Sequence, residues 1–214
     1  MLCVSCTKKA ETDPEVIAMR GLVNRVVPEY SENIVLERLE NDTVDRFEIE
    51  TQGNNLVIRG NNANSMAVGL NHYLKYFCKA QYSWFKEEPL QIPSVMPKVY
   101  PAVSLSARVP DRFFLNYCTF GYTLPWWDWS QWEHFIDWMA LNGINLPLAI
   151  TGQESVWYEV WSGLGLTDEE NPQLLHGSGA PALAPYAEHR PLGWTAAHVV
   201  AREPKGLTKA DCGP

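Results

Sequence analysis

The first hundred residues alternate between stretches with helical spacing of apolar side chains and shorter, strand-like stretches. Residues 14–30 (PEVIAMRGLVNRVVPEY) have helical spacing, with Asp13 where an N-cap is expected. Residues 64–77 (NSMAVGLNHYLKYF) predict an amphipathic helix. Asn, Asp and Gly turns separate three predicted strands, at 34–39, 47–51 and 56–60. With a proline-rich linker over 86–101, residues 13–101 are predicted to form a small α/β domain.

A second pattern, strand-helix-strand-helix, begins near Val103. The strands are predicted at 113–118 and 144–150. The helices are predicted at 128–141, with Asp128 or Ser130 as cap and Gly143 just past the end, and at 153–164. Alternation of this kind is typical of parallel βα units. A TIM (β/α)8 barrel needs eight such units and about 250 residues, so residues 102–170 are predicted to be the start of an incomplete barrel.

Composition narrows the classes of function. The chain has 214 residues and a net charge of −8, without a basic patch. Nucleic-acid binding is therefore excluded, because neutralising phosphates requires clustered Lys and Arg. No apolar run reaches the roughly 20 residues of a membrane helix. Five irregularly spaced cysteines indicate neither a zinc site nor a disulfide framework.

The first twelve residues suggest a targeting segment. MLCVSC is a short apolar run that ends in Cys6, and polar residues follow at once. We expect residues 1–12 to be the remnant of a bacterial lipoprotein signal with Cys6 as the lipid anchor, which implies a periplasmic or cell-surface location. The alternative is an ordinary unstructured N-terminus. The sequence indicates no oligomeric state.

Tryptophans are concentrated in the second half of the chain. Seven of the nine lie between Trp126 and Trp161. Indoles either fill a core or stack against sugar rings, and each buried N–H needs a partner. Four of them recur at helical spacing and are expected to be core: Trp132, Trp138, Trp157 and Trp161. Trp126 and Trp127 are the better candidates for a cleft.

Functional groups of a βα barrel lie just after the carboxyl ends of its strands. After the first predicted strand that rule selects Asn116, Cys118 and Tyr122, whose amide, thiol and phenol could bind hydroxyls or an acetamido group. The alternative is that Asn116 satisfies a turn and Cys118 fills a small space. After the second strand it selects 151–154.

Other polar groups in this half have plainer interpretations. Glu154 could act as a general acid, but a lone Glu in a first helical turn is more often a dipole partner. His134 and Asp137 share a helix without a third metal ligand, and His134 is expected to be solvated.

Residues 112–157 resemble the opening of the catalytic barrel of α-N-acetylglucosaminidases, glycoside hydrolase family 89. The resemblance rests on the phrases WWDW, IDWMALNGINL and GQE with a following W. In addition, SMAVGLNHYLKYFCKAQYSW resembles the end of that family's N-terminal domain. The similarity covers residues 14–170.

The resemblance implies that Asn116, Cys118 and Tyr122 line the pocket for a terminal N-acetylglucosamine of a glycan. It implies a retaining mechanism, with two carboxylic acids about 5 Å apart, and no metal or organic cofactor. In the family both acids lie on later strands, so these 214 residues are expected to lack them and to be inactive. Two alternatives remain open: a non-catalytic carbohydrate-binding module using Trp126–Trp129, and a decayed gene product.

Residues 171–214 form an irregular tail, interrupted by prolines and without helical or strand period. One interpretation is a natural Pro/Gly-rich linker. The other is a shifted reading frame, because with freely chosen synonymous codons the removal of one A near the codons for Glu170 and Asn171 yields a continuation that resembles the family.

Overall fold

The computed structural model describes residues 12–40, 43–86, 88–116, 124, 127–148 and 153–167. The chain divides into two compact units. The first contains the residues up to Phe113 together with Asp128–Leu146, and the second contains Phe114–Trp127 and the residues from Pro147 onward.

The first unit begins with helix α1, Pro14–Val26. Asp13 caps it as predicted, since its carboxylate accepts a hydrogen bond of 2.9 Å from the backbone N–H of Glu15. A 3-10 helix, Pro28–Asn33, leads into the sheet.

The sheet has four strands in the order β1-β3-β2-β4. They are β1 (Ile34–Arg38), β2 (Arg46–Gln52), β3 (Asn55–Gly60) and β4 (Val103–Ser106). Strand β1 pairs with β3 in parallel, and β2 pairs antiparallel with both β3 and β4. One face contributes buried apolar side chains to the core, including Leu36, Ile49 and Ile58. On the opposite face Arg59 pairs with Glu37 and Glu50.

Helix α2, Ala63–Tyr73, supplies the centre of the core, where Met66, Leu70 and Tyr73 are fully buried. The predicted helix does continue beyond Tyr73, but as a π-helix over Leu74–Cys78. A hydrophobic pattern does not distinguish these two helical forms, because both place apolar residues on one side of a single turn.

Strand β4 was not predicted from the sequence. It lies beyond residue 101, where the predicted N-terminal domain ended, and it adds to the edge of the same sheet through the pairing Phe47↔Leu105. Four residues on a sheet edge, with Leu105 itself exposed, leave almost no alternation to detect.

Strands β5 (Phe113–Phe114) and β6 (Leu146–Pro147) form a second sheet. The Leu146 N–H donates to the Arg112 carbonyl at 3.3 Å and the Leu148 N–H to the Phe114 carbonyl at 2.9 Å. Both partners advance by two residues in the same direction, so the strands are parallel. Helix α3, Trp129–Leu141, connects them, which gives the β-α-β unit that the sequence predicted.

Both ends of α3 follow the prediction. Asp128 and Gln131 form a reciprocal capping box at its start. Gly143, with φ of 75°, ends the helix, and the Gly143 and Ile144 amides donate to the carbonyls of Ala140 and Met139.

The second unit contains helix α4, Gln153–Gly163. None of the helices in the described ranges is long and apolar enough to cross a membrane.

Candidate functional site

Asn116 lies two residues after the end of β5, and its side chain is exposed. Leu115, which directly follows the strand, has a φ of 72°, in the left-handed region. A side chain with a Cβ reaches this region at a cost of about 1–2 kcal/mol, and such strain is concentrated at functional sites. The backbone therefore turns sharply just before the residue that the sequence singled out.

The other residues selected from the sequence lie outside the described part. This applies to Cys118, Tyr122, Trp126 and the side chain of Glu154. Helix α4 does begin at Gln153, directly after the predicted second loop.

Two of the three tryptophans of α3, Trp132 and Trp138, are packing residues. They are half-buried on either side of Phe135, and the Phe135 and Trp138 rings are stacked with centroids 5.9 Å apart. Trp84 packs onto the same cluster, 5.2 Å from the Phe135 ring. These indoles thus pack around Phe135, as expected of packing residues, but they are half-buried rather than core residues.

One tryptophan of α4 differs from the prediction. Trp157 packs at a tilt against the half-buried Trp161, with ring centroids 5.7 Å apart, but is itself 43% exposed. The described residues do not bury it, although its spacing is that of a core residue.

The prediction that His134 is solvated was wrong. Its Nδ1 lies 2.6 Å from the Tyr82 hydroxyl and its Nε2 lies 2.8 Å from the Ser83 carbonyl. The carbonyl can only accept, so Nε2 donates to it, and in the neutral ring Nδ1 accepts from the Tyr82 hydroxyl. The sequence analysis missed the contact between α3 and the segment that contains Tyr82 and Ser83. The hydrophobic periodicity of the chain does not show that these two segments are neighbours.

Asp137 is also committed to packing. Its two carboxylate oxygens accept from Nε and Nη2 of Arg25 on α1, at 2.7 and 2.6 Å. Burial raises the pKa of the Asp137 carboxyl, and Arg25 opposes that effect. Burial likewise raises the pKa of the Tyr82 phenol. These shifts therefore mark the contact between α1 and α3 rather than a catalytic pair.

Arg112 is a residue that the sequence analysis missed. It directly precedes β5 and donates hydrogen bonds to acceptors on four separate segments of the first unit. The available signal was a single Arg at the start of an apolar strand, which composition alone does not distinguish from a surface charge.

Among the described residues of the first unit, two grooves stand out, and neither is lined by Asn116. One, of about 560 Å³, is lined by the proline-rich segment and the turn between β2 and β3. The other, of about 270 Å³, lies beside Arg25, Tyr82 and His134. In the part of the chain that is described, no cluster of three or more His, Cys, Asp or Glu could hold a metal ion.

Two family models match the chain. The α-N-acetylglucosaminidase N-terminal domain matches residues 17–98, and the α-N-acetylglucosaminidase TIM-barrel domain matches residues 112–194. The second match identifies the β-α-β unit as part of a TIM barrel, which confirms the predicted fold class.

Comparison with individual proteins points to the same family. Human α-N-acetylglucosaminidase is 36% identical over 169 residues, which are 76% of this chain and 23% of the human protein. A family 89 glycoside hydrolase from Clostridium perfringens, solved in complex with PUGNAc, has a TM-score of 0.70 at 35% identity, over 79% of this chain and 19% of that one.

The same values are found for the Clostridium perfringens enzyme with two glutamates replaced by glutamine, in complex with its substrate GlcNAc-α-1,4-galactose. The chain spans about a fifth of the length of these relatives. With both domain models matched in order along the sequence, the chain belongs to the α-N-acetylglucosaminidase family, glycoside hydrolase family 89, and contains residues of its N-terminal and TIM-barrel domains.

Proposed function

We propose that this chain is the N-terminal part of an exo-α-N-acetylglucosaminidase and contributes one wall of the pocket for a terminal α-linked N-acetylglucosamine. The observation that carries the proposal is the position of Asn116, exposed directly after the strained turn at Leu115. The carboxyl end of a first barrel strand is where barrel enzymes place binding groups.

The chemistry of Asn116 suits such a pocket. A carboxamide both donates and accepts, so it can bind a ring hydroxyl and the acetamido group. Cys118 and Tyr122 follow on the same loop in the sequence, and we assign them to the same wall.

The relatives support the substrate class. The Clostridium perfringens enzyme binds GlcNAc-α-1,4-galactose as its substrate, in a variant with two glutamates changed to glutamine. That variant has lost two carboxylates and still holds its substrate. This observation fits a mechanism in which one carboxylic acid is the acid/base and another, about 5 Å away, is the nucleophile. We propose that later strands supply both acids and that these 214 residues alone bind the sugar without cleaving it.

Sugar binding is tested by titrating N-acetylglucosamine into the purified chain and following tryptophan fluorescence. We expect saturable binding. In Asn116→Ala the dissociation constant should rise at least about tenfold, because one or two hydrogen bonds to the sugar are lost. Asn54→Ala, in the exposed turn between β2 and β3, is the matched control and should bind like the unaltered chain. Equal affinities in all three proteins would contradict the proposal.

A second candidate function, a non-catalytic carbohydrate-binding module, is favoured by Trp129, which is 43% exposed. An exposed indole offers a face for a sugar ring. This candidate predicts that Trp129→Ala abolishes binding while Asn116→Ala does not, the reverse of the pattern expected above.

We also propose that Cys6 is lipidated and that the protein is periplasmic or on the cell surface, on the basis of the MLCVSC segment. Incorporation of labelled palmitate into the unaltered chain, and its loss in Cys6→Ser, would support this. Equal labelling of the two would refute it.

The reading frame of the tail is open to a direct test. The match to the barrel-domain model continues to residue 194 in the present reading frame. This match argues against a frame shift near Glu170. Independent sequencing of the gene that finds the present frame intact, with no barrel-like sequence beyond the stop, would remove the idea of a shift.

A further inference from the structure

We propose that Arg112 is a positioning residue through which the N-terminal domain sets the strand that leads to Asn116. The role of Asn116 in this inference rests on the proposed function. The proposal that Arg112 holds the amino ends of strands β5 and β6 does not.

The Arg112 guanidinium uses all three of its nitrogens. Nε donates to the Gly143 carbonyl, and Nη1 donates to the carbonyls of Val109 and Pro110 at 3.1 Å each. Nη2 donates to a carboxylate oxygen of Asp45 and, at 3.2 Å, to Oδ1 of Asn64. The side chain is only 17% exposed, so water competes little for these bonds.

The acceptors on one side belong to the domain of the four-stranded sheet. Asp45 immediately precedes β2 and is held in place, because its other carboxylate oxygen accepts from Asn62 at 2.6 Å and its carbonyl accepts from Ala107 at 2.7 Å. Asn64 lies in the first turn of α2, where its amide nitrogen also donates to the Ile144 carbonyl at 3.2 Å. This side is a rigid anchor.

The acceptors on the other side belong to the start of β6. The Arg112 backbone N–H donates to Oδ1 of Asn145 at 2.8 Å, and the Arg112 carbonyl accepts from the amides of Asn145 and Leu146 at 3.3 Å. Side chain and backbone of one residue therefore fix the amino ends of both strands.

Gly143 makes this approach possible. Its φ is 75°, and a Cβ at this position would lie 2.9 Å from Cγ2 of Val68 and 3.5 Å from Nε of Arg112. The NGIN phrase thus serves the anchoring of strands β5 and β6.

The strand pair needs an external anchor because β5 and β6 have two residues each. So short a ladder contributes few hydrogen bonds of its own, and isolated strand pairs are marginally stable. Binding groups must be held within about 0.5 Å of their productive positions. Arg112 supplies that constraint three residues before the turn at Leu115.

The test compares Arg112→Lys, which keeps the charge and loses the planar fork, with Arg59→Lys. Arg59 is a matched control, because its guanidinium is also ion-paired and partly buried, but its partners, Glu37 and Glu50 at 2.6 Å each, lie in the four-stranded sheet and not at β5 or β6. Amide hydrogen exchange of Leu146 and Leu148, and the NMR resonances of the Asn116 side-chain amide, are the readouts.

We expect Arg112→Lys to speed exchange of the Leu146 and Leu148 amides at least about tenfold, as in a local opening, and to shift the Asn116 resonances. Amides of β2 and β3 should change less than about twofold. Arg59→Lys should leave β5, β6 and Asn116 unaltered. Unchanged exchange in Arg112→Lys, equal acceleration in both variants, or unmoved Asn116 resonances would overturn the proposal.

Asp45→Asn is a second variant in case Arg112→Lys does not fold. This variant keeps every backbone hydrogen bond of Arg112 and removes the charge of its carboxylate partner. We therefore expect faster exchange of the Leu146 and Leu148 amides and shifted Asn116 resonances, both smaller than in Arg112→Lys. If the unaltered chain binds no N-acetylglucosamine, the proposed function fails, whereas exchange and the Asn116 resonances still decide the role of Arg112.

Discussion

Arg25 and Asp137, 112 positions apart in the chain, form a two-pronged ion pair with N–O distances of 2.7 and 2.6 Å. The pair joins α1, in the N-terminal domain, to α3, the first helix of the barrel domain. The Asp137 side chain is 4% exposed and that of Arg25 is 41% exposed. The first barrel helix is therefore held by the N-terminal domain as well as by its own strands.

Loss of the Asp137 carboxylate should destabilise the chain. Asp137→Ala leaves a half-buried cation without its partner, which costs about 3–5 kcal/mol in a fully buried pair. Solvent around Arg25 reduces the expected loss of unfolding free energy to about 1–3 kcal/mol. Urea denaturation measures it. In Glu133→Ala, whose pair with Arg25 is long at 3.8 Å and exposed, the change should stay below about 0.5 kcal/mol, and equal losses in the two variants would refute the assignment.

Gly143 should not tolerate a side chain. Gly143→Ala combines left-handed backbone with a Cβ 2.9 Å from Val68, and we expect a loss of about 2–4 kcal/mol. Gly53 has a similar φ of 64° but open space around it, so Gly53→Ala isolates the backbone cost of about 1 kcal/mol. Thermal unfolding compares the two. Identical melting temperatures would show that the contact with Val68 is relieved without cost.

Alkaline pH should destabilise the fold through buried phenols. Burial raises the pKa of Tyr30 to about 12, above the ordinary value of about 10, and burial raises the pKa of Tyr73 as well. The folded pKa exceeds the unfolded one, so this stability is complete below about pH 10 and is lost as the pH rises toward about 12.

The measurement is the urea midpoint at about pH 9 and at about pH 11. The unaltered chain should lose more stability between these values than Tyr30→Phe, in which the hydroxyl that donates to the Pro93 carbonyl is absent. Tyr100→Phe, at an exposed position, should keep the full loss. A Tyr30→Phe variant with the same loss as the unaltered chain would contradict this reasoning.

Val156 and Val160 of helix α4 and Leu164, which directly follows the helix, form an exposed apolar stripe. An exposed stripe of this kind favours association between chains. Val160→Lys should lower the binding of a hydrophobic dye and raise the soluble fraction on expression. Ser162→Lys adds the same charge away from the stripe and should do neither. No difference between the two variants would mean that the stripe is covered in solution.

Local signals gave reliable predictions where one residue determines one hydrogen bond. Asp13 and Asp128 cap their helices, and Gly143 ends α3, because capping depends on the identity of a residue next to an apolar repeat. The βα alternation likewise predicted the parallel pair β5 and β6.

The sequence could not predict partners that only the fold brings together. Arg112 with Asp45, Arg25 with Asp137 and Tyr82 with His134 are separated by 52–112 positions, and no periodicity connects such residues. The pocket role of Asn116 stays a prediction, which rests on the rule that barrels place function at strand ends and needs only the order of elements. The hydrogen bonds of Arg112 could be found only in the structure.

The central claim is that these residues hold part of a sugar pocket but lack the groups that break the glycosidic bond. The most direct measurement is incubation of the purified chain with an aryl α-N-acetylglucosaminide, following both its binding and the release of the aryl group. The account predicts saturable binding that is weakened in Asn116→Ala, with release no faster than in buffer. Release well above buffer would contradict it and would make Glu154 the first carboxylate to replace.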